Sequence, residues 1–290
     1  MIYSGKELIE RCREENKKIW EISIDEEIEQ TEKSFDEIWD RMSHILDVMM
    51  QSSEKGLNEK ISSLSGLTGG DAYKVSKYIQ NNESLCGNFL LKAMGRALSN
   101  SEVNVSMGKI VACPTAGACG IVPAALISSA EKLKLSTDDI IKALFTTSLI
   151  GGIIEKNATL SGAQGGCQAE CGSATAMASA AVVEMLKGTP EQSLHAAAIC
   201  IKAILGLVCD PVAGLVEVPC AKRNALGVVS ALSTADLVMC GIKSIIPFDE
   251  VVETMNRVGK QIPHELRETG LGGLAITKTA KQYEKEIFNR

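Results

Sequence analysis

Ten of the 290 residues are cysteine, and six of them fall in segments where Gly and Pro bend the backbone. The segments are Val111-Ala-Cys-Pro-Thr-Ala-Gly-Ala-Cys-Gly-Ile-Val-Pro123, Ser161-Gly-Ala-Gln-Gly-Gly-Cys-Gln-Ala-Glu170 with Cys171 next, and Cys209-Asp-Pro-Val-Ala-Gly-Leu-Val-Glu-Val-Pro-Cys220. A thiolate is a soft ligand, suited to zinc, copper(I) or iron–sulfur clusters. A free thiol otherwise serves as a small apolar filler. Ten residues separate Cys209 from Cys220, unlike the Cys-x2-Cys of a zinc ribbon or the compact run of a ferredoxin. On spacing alone, a metal centre and a set of core thiols both stand. The three histidines, His44, His195 and His264, are scattered. His195 falls on an Ala-rich stretch and reads as a hydrogen-bonded core residue. His264 precedes the Gly-rich stretch after Arg267, and it is the first residue to test as a base. No convincing general base is visible. Cys12, Cys86, Cys200 and Cys240 read as packing.

Groups of this kind need a rigid body to hold them. Hydrophobic residues make up 45%, charged residues 23% and aromatics only 4%, so Ala, Ile, Leu, Val and Met must fill the core. That favours close-packed helices over a sandwich of β-branched and aromatic residues. The formal net charge is −6 and no basic stripe is present, which excludes nucleic acid and anionic membrane surfaces as partners. The first twenty residues are charged and lack an apolar signal core. The longest apolar stretches, 172–186 and 196–208, are interrupted by Glu184 and Lys202 and fall short of the roughly 18 residues that a membrane span needs. Ten cysteines without a secretion signal point to a reducing cytoplasm.

Composition divides the chain at about residue 60. Residues 1–60 read as an N-terminal helical arm or hairpin, opened by the capping box Ser4-x-x-Glu7 and continued by a long amphipathic pattern over 22–54. The arm packs on the main body or on another chain. Residues 61–290 read as one all-α domain in which small-residue helices alternate with Gly-rich turns such as Ser65-Gly-Leu-Thr-Gly-Gly-Asp71. Ser136-x-x-Asp139 opens a helix over 138–149. Thr189, with Pro190 at the first helical position, opens one over 191–207. Pro247 opens another that Gly259 ends.

Together with Arg267-Glu-Thr-Gly-Leu-Gly-Gly-Leu-Ala275, the cysteine segments closely resemble the α chain, or α domain, of the iron–sulfur-dependent L-serine dehydratases, over about 42–275. The Cys-Asp-Pro…Val-Pro-Cys segment carries most of that specificity. The resemblance implies that Cys167, Cys209 and Cys220 hold a 4Fe-4S cluster with one iron lacking a protein ligand. It also implies elimination of water from L-serine, giving pyruvate and ammonia. An open iron is a Lewis acid for the departing hydroxyl, and a base takes the Cα proton. Asn157, Ser161 and Gly162, just before Cys167, are expected at the substrate. Thr115 and Gly117, with backbone of 270–273 including Gly272, are expected to form amide nests for its carboxylate. The same residues also suit ordinary turn chemistry. Position 116 is Ala where several relatives carry Asn, so a side-chain contact is lost there. Cys171 reads as a core thiol, with an alternative reading as a spare ligand.

Single-chain relatives carry a further domain with a Ser-His-Thr motif, which two-chain members place on a β subunit. This sequence lacks the motif and begins with the arm, so the resemblance implies an α subunit that takes its base and its lid from a β subunit. Some single-chain relatives end in a cysteine that occupies the vacant iron, whereas this chain ends Glu286-Ile-Phe-Asn-Arg290. Two rival readings are a cysteine desulfidase on a similar cluster domain and a non-enzymatic iron–sulfur redox or sensing module. Pyridoxal phosphate is the other route to serine dehydration, but Lys156, Lys202 and Lys222 show no cofactor-binding context.

Overall fold

The computed structural model describes residues 2–288; Met1 and the tail residues Asn289 and Arg290 lie outside it. Thirteen α-helices account for the regular structure of the described residues, where bridging between extended segments is limited to the pairs Ser62–Gly69 and Cys209–Arg267. The helices are α1 (Gly5–Glu14), α2 (Ile19–Thr31), α3 (Phe35–Asn58), α4 (Asp71–Asn81), α5 (Asn88–Val105), α6 (Ile121–Leu133) and α7 (Thr137–Asn157). The one-turn α8 (Gly162–Gly165) follows, then α9 (Ser173–Met185), α10 (Pro190–Ala203), α11 (Cys220–Met239), α12 (Phe248–Gln261) and α13 (Lys278–Phe288). Among the described residues, no helix is long and apolar enough to cross a membrane.

Helix α9 is the axis of the molecule. Its residues from Ser173 to Val183 are all buried, and α6, α7, α10 and α11 surround it. Alanine and serine dominate its surface, so neighbouring backbones can come close. Gly151 of α7 is part of that fit, because a Cβ there would lie 3.1 Å from Met177 Cε. Glycine inside a helix costs about 1 kcal/mol relative to alanine, and α7 bears that cost twice, at Gly151 and Gly152. Tertiary packing therefore carries α7 through to Asn157, beyond the end expected near 149. Similarly, α12 does not stop at Gly259. It continues to Gln261, and Gly259 marks its crossing with α8, where a Cβ would lie 2.9 Å from Gly165 Cα. Helix α10 ends earlier than expected, at Ala203, and the chain then turns at Gly206 with φ +84°.

The amphipathic pattern over 22–54 forms two helices, as the hairpin alternative for the arm has it. Glu32 takes a left-handed conformation after α2, and Ser34 caps α3 in a reciprocal capping box with Glu37. Both helices pack on the body. Ile2, Leu8, Ile19, Ile22 and Leu46 belong to the same hydrophobic core as α9. Trp39 sits between Trp20 (edge-to-face, 6.5 Å) and Phe145 of α7 (6.1 Å). Full burial of each large apolar side chain contributes about 1.5–3 kcal/mol, so this region is as strongly anchored as any other. Glu184, the charge that interrupts the apolar run of α9, accepts from Ile19 N (2.9 Å) and from the Thr146 hydroxyl, closing the N-terminus of α2.

Cys12 and Cys200 are buried as expected, but Cys86 and Cys240 are exposed. Cys86 lies in the connection between α4 and α5, and Cys240 caps the end of α11, where each chain segment turns into solvent.

Candidate active site

The site is assembled at the N-terminal ends of α9 and α11. After α8, Gly166 (φ +76°) turns the chain into Cys167, and a single π-helical turn, Gln168–Gly172, leads into α9. Such turns widen a helix and are often found at functional sites. Gln168 fixes this one by donating from Nε2 to Met255 O (2.9 Å) and accepting from Gly206 N (2.9 Å). The backbone of Cys209 is held from both sides: its N donates to Leu266 O (2.8 Å), and its O accepts from Glu268 N (2.7 Å). Asp210 ties in two further elements, accepting from Arg223 Nη2 (3.0 Å) and from Leu274 N (2.8 Å). Gly273 is required there, because a Cβ would lie 2.5 Å from Asp210 Oδ2.

Cys220 is the first residue of α11. The buried Glu217 just before it accepts from Ser65 Oγ (2.7 Å) and Thr68 Oγ1 (2.8 Å), so the Gly-rich turn over 65–71 clamps the loop that carries Cys209 and Cys220. Asn224, one turn into α11, accepts from Gly120 N (2.8 Å) and donates to Gly117 O (2.6 Å) and Cys220 O (2.9 Å). One side chain thereby joins the 114–120 segment to Cys220.

Cys167, Cys171, Cys209 and Cys220 are all buried, and the Sγ atoms of Cys167 and Cys171 are 3.4 Å apart. Hydrogen bonds from the Cys171 and Cys209 thiols hold the Cys167 thiol well below its ordinary pKa, with Arg223 assisting against the cost of burial. The same contact with Cys167, and then burial, pushes Cys209 and Cys171 upward. Burial and the Cys167 charge push Cys220 to about 12. Among the described residues, no three His, Cys, Asp or Glu side chains converge tightly enough to hold a single metal ion. A cluster places its thiolates on different irons, so buried thiols brought in from separate loops suit that donor role, and their softness matches iron–sulfide.

Glu170 is a buried carboxylate beside Cys209 that the reading of the sequence passed over. It is 8% exposed, and its Oε2 lies 4.0 Å from Cys209 Sγ. A Cβ on Gly162 would lie 2.6 Å from Oε2 and 3.2 Å from Cys209 Sγ; one on Gly117 would lie 3.4 Å from Oε1. Burial pushes the carboxyl up to about 7, the Cys167 and Glu268 charges add to this, and Thr115 and Arg223 oppose it. The Thr115 hydroxyl lies close enough to favour the carboxylate, but it is buried without an aligned hydrogen-bond partner. The signal was available in the sequence: a carboxylate three residues after Cys167, on the edge of a long apolar run, is costly to bury and needs a reason.

Thr115, Gly117 and Gly162 therefore meet around Glu170. Ser161, half-buried, leads α8, and its carbonyl accepts from Gly165 N (2.9 Å). Asn157 is the last residue of α7, and its amide donates to Tyr3 O (2.7 Å) and Ile153 O (2.8 Å). Gly272 supports the 264–273 turn, where a Cβ would lie 2.8 Å from Glu265 O. His264 is exposed, and its carbonyl accepts from Arg267 N (3.2 Å). Arg267 reaches Gln164 O through Nη1 (3.4 Å), while its Nε is buried without a partner. His195 is only partly buried; burial and the nearby Lys243 and Lys202 lower its pKa.

Titratable groups with shifted pKa values, buried where several loops meet, make this the candidate active site. The chain belongs to the serine dehydratase alpha chain family, whose model matches residues 14–275. It is 50% identical over 288 residues to a probable L-serine dehydratase alpha chain of Bacillus subtilis (strain 168), covering 99% of this chain and 96% of that one. The L-serine dehydratase alpha chain of Peptoniphilus asaccharolyticus is 48% identical over 99% of both chains. An L-serine dehydratase of Helicobacter pylori (strain ATCC 700392 / 26695) is 36% identical over 94% of this chain and 61% of its own length.

Proposed function

We propose that this chain is the α subunit of a cytoplasmic L-serine dehydratase, which eliminates water from L-serine to give pyruvate and ammonia. A 4Fe-4S cluster on Cys167, Cys209 and Cys220 assists the reaction, with no requirement for pyridoxal phosphate. Family membership carries the reading. Support also comes from the thiols of Cys167 and Cys209 meeting beside a buried carboxylate. When bound, the cluster supplies a Lewis acid at an iron that no protein side chain ligates.

The chain's own residues do the positioning. Asp210 and Arg223 fix the Cys209 loop, Glu217 and Asn224 fix Cys220, and Gln168 fixes the turn after Cys167. Thr115, Gly117, Ser161 and Gly162 border the substrate, which small residues allow to come close to the backbone. Burial excludes water, so each electrostatic contact there is stronger than it would be in solvent. Removal of the Cα proton falls to a base on a β subunit that also closes over the site. Residues 61–290 carry all of these groups, and residues 1–60 buttress them.

The test is anaerobic purification, followed by iron and sulfide analysis and by turnover of the chain alone and with a β chain bearing a Ser-His-Thr motif. The expected result is about four irons per chain, as a 4Fe-4S centre requires, with poor turnover alone, restored turnover in an α/β complex, and decay in air that ferrous iron and thiol reverse. Absence of iron, or full activity after prolonged aeration, overturns the cluster assignment. Faster sulfide release from cysteine than pyruvate formation from serine favours the desulfidase reading. Full activity of the isolated chain places the base here, with His264 the first residue to replace.

A further inference from the structure

Glu170 and Arg267 are two charges that the chain leaves incompletely matched. Glu170 is 8% exposed, and among the described residues the one hydrogen bond its carboxylate receives in good geometry is the weak 4.0 Å contact from the Cys209 thiol. Space is made for it on two sides by residues without a Cβ, Gly117 and Gly162. The hydroxyl of Thr115 is buried beside it with no aligned partner. Arg267 is tied to the loop of Cys209 and to α8. Its backbone pairs with Cys209 in a parallel bridge, its Nη1 reaches Gln164 O of α8, and its Nε is buried with no partner. Buried polar groups in folded proteins are almost always satisfied, and an exception calls for an explanation. Arg223 lies near the carboxylate but hydrogen-bonds Val208 O and Asp210, so among the described residues no cation is hydrogen-bonded to Glu170 and no acceptor to Arg267 Nε.

An α-amino acid carries both missing groups. We propose that Glu170 receives the substrate ammonium and Arg267 the substrate carboxylate, so that the chain recognises the zwitterion of a small amino acid across α8 and Cys209. The inference rests on the proposed dehydratase function and deepens it. It also reverses the orientation expected from the sequence, which placed the substrate carboxylate at Thr115 and Gly117. With Glu170 beside both residues, a second carboxylate there would meet a like charge in a dry site, whereas an ammonium meets an opposite one. Arg is suited to the other end because its fork can hold a carboxylate through two parallel hydrogen bonds.

The experiment uses the cluster-loaded α/β complex and three ligands: L-serine, L-glycerate, in which a hydroxyl replaces the ammonium, and L-serinamide, in which a neutral amide replaces the carboxylate. Binding is read from ligand-induced changes in the cluster's electron paramagnetic resonance spectrum, and KM and kcat from pyruvate formation. Iron and sulfide contents confirm that each variant is loaded. Glu170→Gln should weaken serine and serinamide at least tenfold and leave glycerate within twofold. Arg267→Gln should do the reverse, weakening serine and glycerate and sparing serinamide. Both should raise KM for serine with kcat within about threefold, a split that general damage to the site would not produce. Equal weakening of all three ligands by either variant, or no weakening, overturns the assignment while the dehydratase reading stands. A loaded wild-type complex that does not turn over serine overturns both.

Discussion

Helix α9 and the short stretch that leads into it are both buried, yet they are built by opposite rules. Over the body of α9, Ala, Ser, Thr and Val bury against α6, α7, α10 and α11, and the packing is complete within the chain. Over 167–172, burial takes in two thiols and a carboxylate, on a backbone opened into a π turn. The glycines differ in the same way. Gly151 allows Met177 to pack, whereas Gly117 and Gly162 make room for a charge. Burial of apolar surface is favourable on its own. Burial of a carboxylate without strong hydrogen bonds is costly, whereas the thiols beside it bury as readily as small apolar groups. The difference marks where structure ends and function begins.

The sharpest way to break the functional half is Cys167→Ser, Cys209→Ser or Cys220→Ser. A serine oxygen is a harder and poorer ligand than a thiolate, so each variant should lose its iron–sulfide spectrum and essentially all activity while its helical content persists. Near-normal iron in all three would remove the ligand assignment. Gly162→Ala comes next. The new methyl would lie 2.6 Å from Glu170 Oε2 and 3.2 Å from Cys209 Sγ, so either the carboxylate or a ligand must move. Iron content should drop severalfold, with little change in unfolding midpoint. In the structural half, Ile150→Ala should have the complementary effect. Ile150 is fully buried in α7, and its truncation should cost about 2–5 kcal/mol in denaturant unfolding. The iron content of the folded fraction should not change. Equal losses of iron from Ile150→Ala and Gly162→Ala would erase the distinction between the two regions.

The structural half was the more legible in the sequence. Low aromatic content and long small-residue runs foretold close-packed helices, and the caps at Ser4, Ser136 and Thr189 stand where helix-starting chemistry puts them. Helix ends were less legible, because α7 and α12 run past positions that local propensity would choose, held by contacts distant in the chain. The site was visible as motifs but not as a network. No spacing rule links Ser65 and Thr68 to Glu217, or Asn224 to Gly117, since those bonds span 152, 149 and 107 residues. Glu170 was missed because its meaning depends on which loops close around it. Asn157 was singled out by its proximity to Cys167 along the chain, and no spacing rule foretold that its amide bonds Tyr3 O, 154 residues away.

Glu184 offers the finest test, because it is the one charge within the apolar body of α9. Burial raises its pKa, against the opposing bonds from Thr146, Ile19 N and Trp20 N. The folded state therefore binds the proton more tightly than the unfolded chain does, where a glutamate titrates near 4.3. The stability tied to this proton is fully present below the unfolded pKa. It is lost as pH rises through the raised folded pKa, so this residue makes stability fall from mildly acidic pH toward neutral. Glu184→Gln removes the titration but keeps an amide oxygen for Ile19 N and an amide donor for the Thr146 hydroxyl. Its stability at neutral pH should be within about 1 kcal/mol of wild type, or above it. The decline between mildly acidic and neutral pH should flatten, as measured by urea unfolding at several pH values. A loss of several kcal/mol at neutral pH with an unchanged slope would mean that the carboxylate stays ionised, held by the positive N-terminal end of α2. In that case the body of α9 would tolerate buried charge much as the thiol site does, and the contrast between the two regions would be one of degree.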